Sequence, residues 1–400
     1  MQVTQLDKEM AMAPILRQAY RPMFLFGSIF SAIAILLWGL ALSGTLELPV
    51  YGNILFWHSH EMIYGFVVAI VLGFLLTAVQ NWTGMRATHG ATLGILALLW
   101  SAGRLLMLFG EGLPWWLVMS VDVALLPVAA ILFARLVLKV NQTRNLFFIP
   151  ILLLLAVSSA LMHVGYQFKQ YEWQTLGAYN GVFLVTLLMA IIGGRVMPMF
   201  TANGTMTKKV LPIGWLESLS IGLLWLLFAV HFFNLTLYIP DLWLGALFAV
   251  AALAHFVRVL RWKIWLTFRV PLLWSLHIAY WFIPLGLALL AAHYWGAEIT
   301  RSTAMHALTA GAMGNMILAM MARVSLGHSG RPLQPKPIMS LAFALMVIAG
   351  LTRVLGVSVW PQWTTDWLLI SSYAWTAALL IFVTVYVRIF LTPRADGNPG

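Results

Sequence analysis

The chain has 400 residues, 62% of them hydrophobic and only 9% charged, and its mean hydropathy is +0.91. So few charges could not cover a soluble domain of this length, and the composition predicts an integral membrane protein. Cysteine is absent, which excludes disulfides, thiolate metal sites and cysteine-held iron–sulfur clusters and leaves His, Met and oxygen as metal ligands.

The opening stretch "MQVTQLDKEMAMAPILRQAYRP" carries acids and has no small-residue cleavage site behind a short apolar core. Residues 1–22 therefore read as a cytoplasmic tail rather than a signal peptide. A helix needs about 20 apolar residues to cross a bilayer, and about twelve such segments follow. They cover 23–43, 61–80, 90–109, 115–138, 146–166, 174–197, 212–234, 238–258, 271–293, 302–323, 338–357 and 366–391. Turn signals separate them, among them Gly44, Pro114, Pro212, Pro240 and "GRPLQPKP" at 330–337. The segments make one transmembrane domain over 23–391, and 392–400 forms a second cytoplasmic tail.

The predicted fold is all-α and integral to the membrane: a polytopic bundle of about twelve transmembrane helices with both termini cytoplasmic. With the N-terminus inside, every Lys and Arg lies on the inner side except Arg104, Lys169, Arg301 and Arg353. The net charge of +11 is then a topology signal. It calls for no nucleic-acid partner, and membrane lipid is the surrounding medium.

The histidines fall in two layers on this topology. His58, His60, His163 and His306 lie towards the outer ends of their helices, and His255, His277 and His328 towards the inner ends. His89, His231 and His293 read as interfacial side chains. "FWHSHEMIYGF" at 56–66 is the densest stretch. On a regular helix His58 and His60 would point about 200° apart; on an extended entry segment they would point the same way. Glu61 suits either the positive end of a helix dipole or a buried proton donor beside a metal. Asp122 is the most deeply placed acid, able to pair with Arg104 or to relay protons.

Three further stretches carry candidates. "IGGRVMPMFTANG" at 192–204 places Arg195 beside two glycines and ahead of Pro198, as a positive-side anchor or an anion contact. "PLLWSLHIAYWF" at 271–282 sets His277 among Trp274, Tyr280 and Trp281, aromatic walls that suit a haem pocket or an interface belt. "HALTAGAMGNMILAMMARVSLGHSGR" at 306–331 aligns His306, Met313 and Met320 at heptad spacing and sets His328 near Arg323 and Arg331, where a propionate or a lipid phosphate could sit. The Met stripe is more often core filler than ligand. Histidines without cysteine and with few acids point to redox cofactors, with secondary transport as the rival reading.

These stretches, with "RPMFLF" at 21–26 and "GFLLTAVQNWTG" at 73–84, resemble the NnrS family of bacterial inner-membrane proteins, from the first span to the loop before the eleventh. The resemblance implies a multi-pass protein of the bacterial inner membrane containing haem b and copper and linked to nitric oxide and nitrosative stress. It implies ligands among His58, His60, His163, His277, His306 and His328, and Arg195 as a polar partner. The expected activity is reduction of nitric oxide to nitrous oxide, fed by an electron donor the sequence does not name, with Glu61 and Asp122 as proton carriers. The alternatives are a non-catalytic protein that senses or handles nitric oxide or metal, and a secondary transporter.

Overall fold

The structure is a computed structural model and describes residues 6–399; residues 1–5 of the expected N-terminal tail and Gly400 lie outside it. The described residues form helices and no strands. A bilayer core offers no water to unpaired backbone groups, so helices that satisfy their own backbone are the expected solution. Twelve helices are long and apolar enough to cross a membrane. They are α1 (Tyr20–Leu42), α2 (Ile54–Thr83), α3 (Gly90–Phe109), α4 (Trp115–Lys139), α5 (Phe148–Gln167), α6 (Tyr171–Thr205), α7 (Gly214–Phe232), α8 (Asp241–Leu260), α9 (Pro271–Tyr294), α10 (Arg301–His328), α11 (Ile338–Val359) and α12 (Pro361–Leu391).

The span count agrees with the sequence reading, but several boundaries move. α2 begins at Ile54 rather than at 61, because the Asn53 side chain caps it, accepting from the Phe56 N–H at 2.8 Å. His58 and His60 therefore sit inside the helix, not on an extended entry segment. α10 begins in the same way, with Thr300 accepting from the Thr303 N–H at 3.1 Å. It runs on through Arg323 to His328. α6 passes straight through Pro198 and extends to Thr205; the backbone group a proline frees inside a membrane helix can be met by its surroundings.

Two helices are π-wound directly after a histidine. In α2 the α-turns end at His60 and a π segment covers Glu61–Val67; in α10 they end at His306 and a π segment covers Ala307–Met313. A π segment inserts an extra residue into the turn and re-aims the side chains that follow, and it is found frequently at functional sites. The winding also breaks the heptad register expected between His306 and Met313. Of the twelve spans, α2 and α10 have the largest buried share, 83% and 78% of their apolar windows. The two histidine-rich stretches thus lie on the most enclosed helices. By contrast α3 leaves Ile95, Leu98, Leu105 and Phe109 exposed, as a lipid-facing helix should.

The chain divides into two compact units. One gathers the described residues through Gly181, with Met321–Gln334 and the residues from Leu379 onward; the other comprises Val182–Met320 and Pro335–Ala378. In the first, Gly73 lets α2 close on Met23 and Phe24 of α1, and Gly27 of α1 lies against Ala69 and Ile70 of α2. In the second, Gly311 of α10 lies under the Phe282 ring of α9, and a Cβ on Gly350 of α11 would come within 2.9 Å of the Gly311 Cα. Small residues carry such contacts because lipid supplies no hydrophobic drive between helices, which leaves close packing to hold them.

Gly311→Leu drives a side chain into the Phe282 ring. It is expected to lower the thermal midpoint of the detergent-solubilised protein, by an overpacking cost of about 1–3 kcal/mol. Gly222→Leu, at a position on α7 with no neighbouring atom within 4 Å of the added Cβ, should leave the midpoint where it is. Equal midpoints for the two variants would remove the Gly311 contact from the packing account.

Candidate metal centre

The first unit encloses a cluster of charged and ionisable side chains drawn from α2, α3, α4 and α5. His60, Glu61, Arg104, Asp122, Ser159 and His163 are all buried. Charges in a membrane interior are costly unless paired, and here each is held by another. Arg104 reaches two carboxylates, donating from one terminal nitrogen to Glu61 Oε1 and from the other to Asp122 Oδ1.

The backbone makes room for this bridge. A Cβ on Gly65, inside the π segment, would overlap an Arg104 nitrogen, so the guanidinium needs glycine there. The Trp100 indole N–H donates to the Gly65 carbonyl at 2.8 Å, and the Arg104 guanidinium lies 5.9 Å from the centroid of the Phe30 ring. A Cβ on Gly103 would come within 3.3 Å of Asp122 Oδ1.

The other Asp122 oxygen is crowded. Oδ2 lies 3.1 Å from His60 Nε2 and 3.4 Å from His163 Nε2, and it accepts from the Ser159 hydroxyl at 3.2 Å. The same hydroxyl is 3.1 Å from His60 Nε2. The far sides of both rings are occupied. His60 Nδ1 faces Glu61 Oε1 at 3.1 Å, and His163 Nδ1 faces the Tyr51 hydroxyl at 3.5 Å. Tyr51 lies in the loop before α2, and burial with the nearby Tyr166 and Asp122 pushes its phenol up to about 12, so it serves as a neutral hydroxyl. Phe56 stacks on His60 with centroids 5.6 Å apart, and Tyr64, whose hydroxyl donates to the Gly177 carbonyl at 2.7 Å, closes another side.

Carboxylates face both ring nitrogens of His60 at 3.1 Å and can only accept, so a neutral His60 satisfies one of them and leaves a lone pair against the other. Two acceptors at 3.1 Å repel unless a cation lies between them. Charge counting agrees, because two carboxylates and one guanidinium leave one buried negative charge unmatched. The cluster therefore takes one further positive charge, a proton on His60 or a metal ion. A proton on His60 would satisfy both carboxylates that face its ring, and a metal ion would use the same convergence, since His60, Asp122 and His163 offer three donor atoms within 4.8 Å of one another. Outward-tied Nδ1 atoms with converging Nε2 atoms are the usual arrangement of metal-binding imidazoles.

The other expected residues lie apart from this cluster. His58 points away from it and stacks on Trp38 of α1, 4.1 Å between centroids and 12° between planes. His328 packs 5.9 Å from Tyr20, and its carbonyl accepts from Arg394 at 3.0 Å. Arg331 donates to the Ser329 carbonyl at 3.3 Å, and Arg323 is half-buried on α10.

In the second unit His255 has both ring nitrogens engaged, by the Tyr280 hydroxyl at 3.0 Å and the Ser220 carbonyl at 3.1 Å. His277 is buried, with Nε2 2.8 Å from the Thr201 hydroxyl and no partner on Nδ1. His306 Nδ1 donates to the Ser302 carbonyl at 2.7 Å. Trp274 meets Phe343 edge-on, and Arg195 is half-buried in the last third of α6. From sequence Arg104 is visible only as a partner for Asp122, and Ser159, Tyr51 and Gly65 do not stand out. The available signal was Arg104 itself, an arginine within an apolar span and off the basic side.

A family model described as NnrS protein matches residues 14–394, nearly the whole chain. The chain belongs to the NnrS family. Among curated proteins none matches it. Membership in this bacterial membrane family and twelve apolar helices agree on a multi-pass membrane protein linked to nitric oxide. The buried His60–Asp122–His163 group is the place in this NnrS chain where its described residues could hold a metal.

Arg104→Gln leaves two buried carboxylates without their shared counter-charge. Breaking a buried pair costs about 3–5 kcal/mol, so the variant is expected to lose most of its folded yield by size-exclusion chromatography in detergent. A yield and thermal midpoint equal to the wild type would show that the bridge does not hold the cluster together.

Proposed function

We propose that this NnrS chain is a metalloprotein of the bacterial inner membrane that binds nitric oxide at a copper ion held by His60, His163 and Asp122 and reduces it to nitrous oxide in defence against nitrosative stress. The observation that carries this reading is the convergence of both Nε2 atoms on Asp122 Oδ2, with both Nδ1 atoms tied outward. Two imidazoles and a carboxylate suit copper or iron better than magnesium or calcium. Such a metal would supply Lewis acidity and one-electron chemistry towards nitric oxide.

The residues of the chain supply the rest. Nitric oxide is small, neutral and lipid-soluble, so a dry site needs no charged entry path. Two molecules of nitric oxide take up two electrons, from a reduced carrier in the membrane, and two protons, giving one nitrous oxide and one water. Glu61 stands next to His60, is fully buried, and has Oε2 without a partner; that oxygen would take up a proton and pass it to the site. Asp122, expected as a second proton carrier, has both oxygens committed and fits the role of ligand. Arg104 orients Glu61 and Asp122 and offsets their charge.

Haem b does not fit between His60 and His163, whose ring centroids are 4.9 Å apart; no porphyrin enters that gap. Of the expected haem ligands, His277 fits better, since a buried ring nitrogen there has no partner.

The test is metal analysis and gas chromatography on the purified wild type, His60→Ala, His163→Ala and Asp122→Asn, given a chemical reductant and nitric oxide. The wild type should carry about one copper per chain and evolve nitrous oxide, and each variant should lose both. Full copper in the His60→Ala/His163→Ala double variant would sink the ligand assignment. A copper-loaded wild type that binds nitric oxide and evolves no nitrous oxide would leave a binding protein and remove the reductase.

A further inference from the structure

The loops that follow α6 and α8 flank a basic, partly open chamber in the second unit. The loop after α6 carries Lys208 and Lys209, and the loop after α8 carries Arg261 and Lys263. Arg261 fastens the two together, donating to the Leu211 carbonyl at 3.0 Å. Two adjoining cavities result, of about 280 and 400 Å³, and both are lined by Lys208, Val210 and Lys263. These volumes are of the order of ordinary ligand sites, roughly 300–1,000 Å³.

The lining has one sign of charge. No acid lines either cavity, and Glu217 at the start of α7 is paired with Arg258. A cleft lined by one sign of charge raises the local concentration of counter-ions. Lys263 and Met206 both adopt positive φ, 60° and 54°, turning the chain just past the ends of α8 and α6.

The rim identifies the anion. Met206, Leu211, Trp215, Trp265 and Phe268 are all exposed around the same two loops. Large apolar and tryptophan side chains beside lysines, where spans end, belong at the headgroup level of a bilayer rather than in free water. We infer that this chamber holds the phosphate of an anionic phospholipid between Lys208 and Lys263, with the acyl chains leaving over Trp265. Basic pockets at the ends of membrane helices recognise such headgroups by charge. The chamber also borders a candidate ligand: Thr201 lines its deeper cavity and is 2.8 Å from His277 Nε2. An occupant of the chamber is thus one hydroxyl away from that imidazole.

Native mass spectrometry of the full-length protein released from phosphatidylglycerol or phosphatidylcholine nanodiscs tests this, with lipid retention as the readout. Wild type should retain phosphatidylglycerol and shed phosphatidylcholine. Lys208→Gln/Lys263→Gln, which changes two exposed side chains, should lower phosphatidylglycerol retention at least tenfold. Arg135→Gln/Lys139→Gln, a basic pair at the end of α4, should retain it like the wild type. Equal retention by the Lys208/Lys263 variant, or equal loss by the α4 variant, would overturn the site in favour of general surface charge. Displacement of the lipid by millimolar glycerol 3-phosphate or inorganic phosphate would overturn the lipid and leave a site for a soluble phosphate.

Discussion

The contact on which the first unit depends is the Arg104 bridge between Glu61 and Asp122. An arginine and two acids inside an apolar bundle carry a desolvation cost that surface charges do not, and only close pairing offsets it. Much of the local structure follows from that demand. Gly65 is glycine because the guanidinium occupies the space of a side chain. The π segment at Glu61–Val67 turns Glu61 towards α3 while His60, one residue earlier, faces α5. Ser159 and Tyr51, small polar groups on neighbouring elements, take up the remaining hydrogen-bonding capacity around Asp122 and His163.

Much of the fold was legible in the sequence. Spans of apolar residues and the lopsided distribution of Lys and Arg specify twelve helices, because lipid solvation selects on composition averaged over a whole span. Boundaries were less legible where a single cap decides them. Asn53 caps α2, which starts seven residues before the apolar window suggests, and this decides for a helix at His58 and His60 where the sequence allowed a helix or an extended entry. Winding was not legible at all, since "EMIYGFV" and "ALTAGAM" show nothing that separates π from α turns. The candidate site was half legible. His60, Glu61, Asp122 and His163 stood out as ionisable groups in apolar surroundings. Their grouping did not, because which helix faces which is a matter of packing rather than composition. The sequence suggests one shared layer for His306, His58, His60 and His163, yet His58 turns to Trp38 and His306 to its own helix.

A comparison within the chain separates a structural ion cluster from a candidate site. In the second unit Arg258 is also buried and also makes room for itself with a glycine, since a Cβ on Gly194 would overlap its guanidinium. There the account closes. Arg258 donates to both oxygens of Glu217, to the Ala190 carbonyl at 2.9 Å and to the Tyr280 hydroxyl at 2.6 Å. His255 beside it has a partner on each ring nitrogen. One cation meets one anion, and nothing in the charge count asks for a ligand.

The Arg104 cluster has the same parts in a different ratio. One guanidinium serves two carboxylates, one Glu61 oxygen has no partner, and Asp122 Oδ2 has three neighbours where a carboxylate oxygen accommodates about two. Packing alone gives no reason to keep such an imbalance in a membrane interior, because a single Asp122→Asn change would remove it without altering shape. A buried surplus of negative charge, focused on one oxygen and flanked by two imidazoles, calls for one further positive charge, a proton on His60 or a metal ion. The contrast between the two arginine clusters therefore rests on charge balance rather than on burial, and it is charge balance that directs the functional reading to α2, α4 and α5.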